Sequence, residues 1–486
     1  MLEKPERIFD RVAEWRALSA FATSGGPGRL GIVSGRRRQG KTFLVEALAR
    51  QTGGLYFGAT EATEAESVRL FGQAVTAHLD AATPLRFTGW DEAVRHLFSV
   101  VGAAGRPIVI DEFPYLSKAS PSLPSILQRE IDRSVAEGAP CTLLLCGSAM
   151  SVMGGLLAGR APLRGRAGLE LIVRPFDHVL AARFWQLDDP RLAVLHHAVV
   201  GGTPAYRRFT DGDTPRDVAD FDDWLLRTVL NPASPLFREA RYLLEEETEV
   251  RDTALYHSAL AAVAAGNNTR GGIANYIGRK AADIGHHLNV LEDAGLLRRE
   301  PDLFRTNRSV YRIAEPLITF YQTIMRPQWG LLESGRAAMV WRDAQARFSS
   351  QVVGPHFEQL CRDHAIMAPA GTFAALPGEI GAGVVADPER RTQIQIDVAV
   401  LAPAVPGRPR EILSLGEAKW GDIMGTRHVD RLRRARDLLA ARGFDTTRTV
   451  LACYSGAGFD GDATTASDVL TVGLDRLYLP EDDSQI

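Results

Sequence analysis

Cysteine is scarce in this chain. The 486 residues hold 4, Cys141, Cys146, Cys361 and Cys453, with no C-x-x-C pair among them. That spacing supports neither a disulfide framework nor a zinc site, and it suits a reducing cytoplasm. Charge of one sign is lacking too. The formal net charge is −3, so no global basic field points to nucleic acid, and any such contact has to come from a local patch. No apolar run reaches the length of a membrane-spanning helix. The charged start, Met1 to Arg7, precedes no long apolar segment, so neither a membrane span nor a secretory leader is expected. Internal repeats and long low-complexity tracts are absent as well. What remains is a hydrophobic fraction of 45% and a charged fraction of 24%. These are ordinary values for a globular protein, in a chain long enough for about two to four domains.

Against that background, Gly35, Arg36, Arg37, Arg38, Gln39, Gly40, Lys41 and Thr42 read G-x-x-x-x-G-K-T, the P-loop pattern. Leu30 to Val33 before it is a short apolar run suited to a buried strand. Phe43 to Ala49 after it reads as a helix with an apolar face. Strand, Gly-rich loop and helix together supply what phosphate binding needs. The glycines let backbone N–H groups close around phosphate oxygens, and the helix N-terminus adds positive potential. Lys41 is placed for the β- and γ-phosphates of ATP and the Thr42 hydroxyl for Mg²⁺.

Pro107 to Glu112 is an apolar strand ending in two acids. It reads as the partner motif, with Asp111 serving Mg²⁺ through water and Glu112 orienting or deprotonating the attacking water. A third strand, Thr142 to Cys146, ends in Gly147-Ser148. Ser148 at that point either touches the γ-phosphate or its water, or caps the following helix.

Strands and helices alternate up to about residue 210, as a parallel α/β sheet requires, with Leu55–Phe57 and Ile172-Val173 as further strands. The expected division is a P-loop core over 1–210, a helical lid or connector over 211–252 and a winged helix-turn-helix over 253–327. A connecting helix over 328–345 and a C-terminal α/β domain over 346–486 complete it. In the third region, Gly271 to Gly278 and Ala281 to Ala294 are the two helices, and Leu296–Glu300 and Ser309–Ile313 are the wing strands. Arg279, Lys280, Arg298, Arg299, Arg305 and Arg308 give it a local basic surface. That surface either meets DNA phosphates or stays solvated while the module packs on protein. His286 and His287 lack any matching ligand set for a metal.

The last region carries a second constellation. Gln393 to Val400 alternates polar and apolar residues, with Asp397 on the face of Gln393 and Gln395. Ile412 to Trp420 is the next strand, and Glu417 and Lys419, two apart, share a face. Glu358 on an upstream helix adds a further acid, and Arg427 to Ala441 reads as a strongly basic helix. Asp397 and Glu417 can hold a divalent metal, and Lys419 can offset charge at a scissile phosphate, as metal-dependent phosphodiester cleavage requires. The alternative is an internal ion pair among Glu417, Lys419 and Asp397.

The order of these parts resembles the archaeal-type P-loop ATPases, a branch of the AAA+ and STAND group whose members often carry a C-terminal PD-(D/E)xK nuclease-like domain. Phe9 to Trp15, containing Arg11, is similar to the family's opening box near the adenine, though its aromatic residue falls one position late. Gly201-Gly202-Thr203-Pro204-Ala205-Tyr206 resembles the element that opens the lid. Tyr311 to Leu317 resembles the exit from the winged helix, and Glu417-Ala418-Lys419-Trp420 resembles the nuclease-like E-x-K-W. The resemblance implies a multidomain α/β fold. Its parts are an AAA+-like parallel sheet, a helical connector, a winged helix and a restriction-endonuclease-like C-terminal domain. It also implies ATP and Mg²⁺ as cofactors, an arginine that meets the γ-phosphate in cis or from a neighbour (Arg160, Arg164 or Arg166), and a cytoplasmic protein, monomeric or homo-oligomeric. Two function classes follow. Either ATP hydrolysis drives handling of DNA that the last domain cuts, or the chain is a nucleotide-loaded switch whose winged-helix and nuclease-like domains only bind DNA or a partner.

Overall fold

The computed structural model describes residues 2–245, 253–369, 371–373, 375–461 and 468–478. The chain divides into two compact units. One is Met1–Pro175 with Asp293–Gly295; the other is Phe176–Glu292 with Leu296–Ile486.

The first unit is built on five parallel strands: β1 (Arg29–Ser34), β2 (Leu55–Gly58), β3 (Pro107–Asp111), β4 (Thr142–Gly147) and β5 (Ala167–Ile172). They lie in the order β2-β3-β4-β1-β5. Alternation along each strand sorts the side chains onto two faces. Ile32, Phe57, Ile108, Ile110 and Leu145 enter one core, with helices Glu64–His78, Trp90–Leu97 and Leu123–Glu137. Val33, Tyr56, Val109, Leu144 and Cys146 enter the other, with helices Val12–Thr23 and Lys41–Thr52. Asp111 is two residues past Val109, so the same alternation aims it at the face of the P-loop helix. The chain leaves β1 in the sheet's interior and resumes at the far edge, β2. That jump opens a crevice at the carboxyl ends of the strands, where α/β sheets bind ligands. β4 lies between β1 and β3, so the residues after all three strands meet there.

The core expected over 1–210 ends, as a compact unit, at Pro175. Helices His178–Trp185 and Pro190–Val200 pack with the second unit. His178 Nε2 lies 2.9 Å from the Leu477 carbonyl oxygen. Arg191 donates to the Gly456 carbonyl at 3.0 Å, and its guanidinium sits 4.6 Å from the Trp420 ring centre. Gly202 explains part of its motif: a β-carbon there would fall 1.8 Å from the Phe176 carbonyl oxygen. No side chain fits that backbone crossing.

The second unit continues through helices Phe221–Arg227 and Pro235–Glu245. The end of the expected lid, 246–252, lies outside the described residues. Helices Thr253–Ala264, Arg270–Ile277 and Gly285–Asp293 follow, then the antiparallel pair β6 (Leu297–Pro301) and β7 (Ser309–Ile313). The third helix begins four residues later than its sequence suggests, because 281–284 form a turn. The connecting region is not one helix. Trp329–Glu333 and Ala337–Arg347 are separate helices, and π-helical turns occupy Tyr321–Met325 and Phe348–Val353. The last sheet has the order β12-β11-β10-β9-β8. Its strands are β8 (Glu379–Asp387), β9 (Thr392–Leu401), β10 (Ile412–Lys419), β11 (Val450–Ser455) and β12 (Val469–Val472). β8, β9 and β10 pair antiparallel, while β10, β11 and β12 pair parallel. Helices Gly354–Met367 and Thr426–Ala441 pack on this sheet. No helix among the described residues is long and apolar enough to cross a membrane.

Candidate functional site

The P-loop takes its shape from backbone that few residues tolerate. Gly35 and Gly40 have φ of 149° and 88°. A β-carbon on Gly35 would sit 2.3 Å from the Val173 carbonyl oxygen, so both the angle and the space demand glycine there. Val173 reaches that position by donating its N–H to the Ser34 carbonyl at 2.8 Å. Lys41 is buried, and Nζ donates to the Arg36 carbonyl at 2.8 Å. Its pKa is lowered by burial, against the opposing pull of Cys146, Glu112 and Asp111. The ammonium thus lies folded back on the loop, in position to exchange one carbonyl for phosphate oxygens.

Asp111 gathers three donors, one from the P-loop helix, one from β2 and one from the residue that follows β3. It accepts from Thr42 Oγ1 at 2.7 Å, from the Tyr56 hydroxyl at 3.1 Å and from the Glu112 N–H at 2.9 Å. Burial and Asp111 push the Tyr56 phenol pKa up, and burial with Asp111 pushes the Cys146 thiol well up. A Thr hydroxyl in hydrogen-bond contact with a carboxylate is a pair of hard oxygen donors suited to Mg²⁺. Glu112 takes φ 53° and ψ 41°, a left-handed conformation uncommon for glutamate. That turn carries its side chain to Ser148, whose Oγ lies 2.9 and 3.1 Å from the two carboxylate oxygens. Ser148 does not cap the following helix, Met150–Gly155, whose N-cap is Ala149.

Two predicted residues make hydrogen bonds away from the Thr42–Asp111 pair. Arg11 is buried; it donates to the Gln39 carbonyl at 3.2 Å and the Arg174 carbonyl at 2.7 Å. It braces the P-loop from behind. Arg166 forms a two-pronged pair with Asp132, both bonds 2.7 Å, and makes no bond to the Lys41, Asp111, Glu112 or Ser148 side chains. Arg37 donates to the Tyr115 hydroxyl at 2.9 Å. Tyr56 was not among the sequence candidates. Its signal was present, since it is the middle residue of Leu55-Tyr56-Phe57 and points to the face opposite its apolar neighbours.

In the second unit, Asp397, Glu417 and Lys419 come together on β9 and β10. Lys419 Nζ lies 3.3 Å from Glu417 Oε1 and 3.7 Å from Asp397 Oδ2. Asp397 also accepts from the Ala418 N–H at 3.0 Å and from Gln395 Nε2 at 2.9 Å. Both acids are 2% exposed and Lys419 is 32% exposed, so the lysine forms the mouth of the cluster. Burial lowers the Lys419 pKa, but the carboxylates Asp397 and Glu417 outweigh it and the net direction is upward. Glu358 is pushed up to about 7 by burial and then by the Asp397 charge. Glu417 Oε1 accepts from Arg431 at 3.0 Å, whereas Oε2 is buried without a hydrogen-bond partner among the described residues. No three His, Cys, Asp or Glu side chains among the described residues are arranged to hold a metal.

The basic helix Thr426–Ala441 does not present the open cationic groove its sequence suggests. Arg431 pairs with Glu417, Arg433 with Asp430 and Asp468, Arg434 with Asp387 and Glu389, and Arg436 with Asp437 and Asp468. The charges are answered by acids on the helix itself, Asp430 and Asp437, and by Asp387, Glu389, Glu417 and Asp468 outside it. The hairpin module differs. Arg279, Lys280, Arg299 and Arg308 are exposed, and none has a carboxylate partner among the described residues. Arg298 lies 3.9 Å from Glu300, which pairs more closely with Arg312, at 2.8 Å.

No protein-family profile matches this chain. An uncharacterized protein of Methanocaldococcus jannaschii is 26% identical over 308 residues, covering 63% of this chain and 66% of its own length, just short of two thirds. Among solved structures, a Walker-type ATPase of Pyrococcus abyssi aligns with a TM-score of 0.51 at 20% identity, over 66% of this chain and 97% of that one. The ORC2 protein of Aeropyrum pernix, solved as ADPNP–ADP complexes, aligns at a TM-score of 0.39 and 13% identity, over 70% of this chain and 99% of its own. At these identities the likeness concerns fold alone, a parallel sheet with flanking helices shared with the Pyrococcus abyssi protein.

Proposed function

We propose that the chain binds ATP with Mg²⁺ at the P-loop and hydrolyses it. The observation that carries this reading is the 2.7 Å bond from Thr42 to Asp111 beside the Ser148–Glu112 contact. Together they gather a metal pair and a base at the ends of adjacent strands. In this reading Thr42, and Asp111 through water, would hold Mg²⁺, which would supply positive charge to offset that of the phosphates. Lys41 releases the Arg36 carbonyl and turns to the β- and γ-phosphates, and the loop N–H groups close on their oxygens. Glu112 accepts the proton of the attacking water, and Ser148 fixes the direction of its carboxylate. Arg11 maintains the loop's form and Tyr56 steadies Asp111. The test is Mg²⁺-dependent phosphate release from ATP. Lys41→Ala should lose nucleotide binding by about two orders of magnitude, consistent with removal of a charged contact to phosphate. Tight ATP binding by Lys41→Ala would sink the assignment.

The hairpin module supports a second element of the reading, contact with DNA through Arg279, Lys280, Arg298, Arg299 and Arg308. Their exposure, next to a C-terminal helix whose arginines are paired, favours this surface over that helix. Such binding should weaken steeply with salt, because phosphate contacts release counterions. Replacing Arg298 and Arg299 by glutamate should weaken it alike for all sequences and flatten the salt dependence. Unchanged affinity in a fluorescence-anisotropy titration of that double variant would assign the module to protein packing.

The Asp397–Glu417–Lys419 cluster is compatible with metal-dependent phosphodiester cleavage. The orphaned Glu417 Oε2 is the observation that fits a cation, and Asp397 and Glu417 would hold it. The switch reading draws on the same cluster, since the ion pairs that close it and the paired arginines of the neighbouring helix also suit a domain that only binds.

A further inference from the structure

A cavity of about 470 Å³ opens in the second unit between the hairpin module and the two π-helical turns. Its size is that of a small-molecule site, and nothing proposed above uses it. Two arginines line it. Arg326 donates through one nitrogen, Nη1, to the His257 carbonyl and to Gln322 Oε1, both at 3.0 Å. Arg347 donates through Nη1 to the Thr323 carbonyl at 3.3 Å. Both guanidinium groups are thus tied to neighbouring residues of the Tyr321–Met325 π-turn. Neither has a carboxylate partner among the described residues, although nearly every arginine on the Thr426–Ala441 helix has one. A guanidinium has five N–H donors in a planar fork. Among the described residues only one nitrogen of each is engaged, which leaves the other donors for a ligand. Two half-buried guanidinium groups held this way match the oxygens of a phosphate.

The rest of the wall is not that of a bare phosphate site. Tyr276 lines the cavity and is 52% exposed, an aromatic face open to stacking. Ala261, Ala264 and Pro327 give an apolar floor, and Gln351 at the edge offers a carboxamide. Thr323 Oγ1 is buried without a hydrogen-bond partner among the described residues. π-helical turns within helices are frequent at functional sites, and residues of both turns line this cavity.

We propose that this cavity binds a nucleoside phosphate, with the phosphate on Arg326 and Arg347 and the base stacked on Tyr276. The same chemistry is offered by a free nucleotide and by the 5′-phosphorylated end of a nucleic-acid strand. The experiment uses full-length Lys41→Ala protein, so that P-loop binding does not enter. It is titrated with dAMP, with a 5′-phosphorylated dinucleotide, with the 5′-hydroxyl dinucleotide and with inorganic pyrophosphate. The phosphorylated ligands should bind about tenfold or more tightly than the hydroxyl dinucleotide. Adding Arg326→Gln and Arg347→Gln together should weaken them about tenfold or more. Tyr276→Ala should weaken dAMP and the dinucleotide about threefold or more while leaving pyrophosphate unchanged. Gln351→Glu, at an exposed rim position that does not hold the fold, should repel every phosphate ligand. Tight binding of dAMP assigns the free nucleotide; tight binding of the dinucleotide alone assigns the strand end. Three results overturn the proposal: no binding by any phosphate ligand, indifference to the 5′-phosphate, or binding unaltered by both the arginine pair and Gln351→Glu.

Discussion

Glu112→Gln is expected to lower ATP turnover by about 10²–10⁴-fold, the range for loss of a general base, while nucleotide affinity stays near that of the parent protein. The separation follows from geometry. Asp111, one residue earlier, holds the Thr42 hydroxyl and lies on the face of the P-loop helix. Glu112 turns away in a left-handed conformation and meets Ser148. Glutamine has the same shape and can still accept from the Ser148 hydroxyl, so the loop is not disturbed. What it lacks is an oxygen able to take a proton from water. The measurement pairs filter binding of radiolabelled ATP with single-turnover hydrolysis. Retained binding with trapped, uncleaved ATP is the expected result. Wild-type turnover would remove Glu112 from the mechanism, and lost binding would show that its left-handed turn matters for the loop itself.

The parts of the fold legible in the sequence are those fixed by short-range pattern. Leu30–Val33, Pro107–Glu112 and Thr142–Cys146 read as buried strands; the first and last lie within observed strands, and the second stops at Asp111 because Glu112 turns left-handed. The glycines and Lys41 declare their loop by spacing alone. Less legible is whatever depends on partners far along the chain. The arginines of Thr426–Ala441 read as a cationic surface because Asp387, Glu389 and Asp468, which answer them, are separated from them in sequence. Arg166 reads as a γ-phosphate arginine, but Asp132 holds it with two bonds. The boundary at Pro175 was hidden for the same reason. Helices His178–Trp185 and Pro190–Val200 continue the alternation of the first unit, and contacts far along the chain, with Leu477, Gly456 and Trp420 among them, tie them to the second. The π-turns that shape the cavity around Arg326 leave no periodic signature, since one extra residue per turn is smaller than the scatter in an apolar pattern.

Asp397→Asn is expected to lower metal-dependent cleavage of DNA by this chain by about 10²-fold or more while leaving ATP hydrolysis unchanged. The cluster's construction makes asparagine the informative choice. Asp397 Oδ2 accepts the Ala418 N–H at 3.0 Å and Oδ1 accepts from Gln395 at 2.9 Å. An asparagine oxygen can keep the first of these, so β9 and β10 stay in register while one charge is lost. Alanine would leave the buried Ala418 N–H without a partner, a defect of about 1–3 kcal/mol that confuses folding with chemistry. Lys419→Met should have the same effect on cleavage by a different route, removing the cation at the mouth and keeping the aliphatic stem. Together the two variants should lower phosphodiester cleavage with Mg²⁺ or Mn²⁺ by about 10²-fold or more, the scale of a lost electrostatic contact in a transition state. The switch reading predicts another pattern. The parent protein then cuts neither DNA nor RNA with any metal, with or without ATP. Asp397→Asn then changes only stability, because Lys419 and Arg431 are left to share Glu417. Cleavage by the parent that survives both substitutions would place the cutting chemistry elsewhere and leave this cluster as an ion network that fixes β9 against β10.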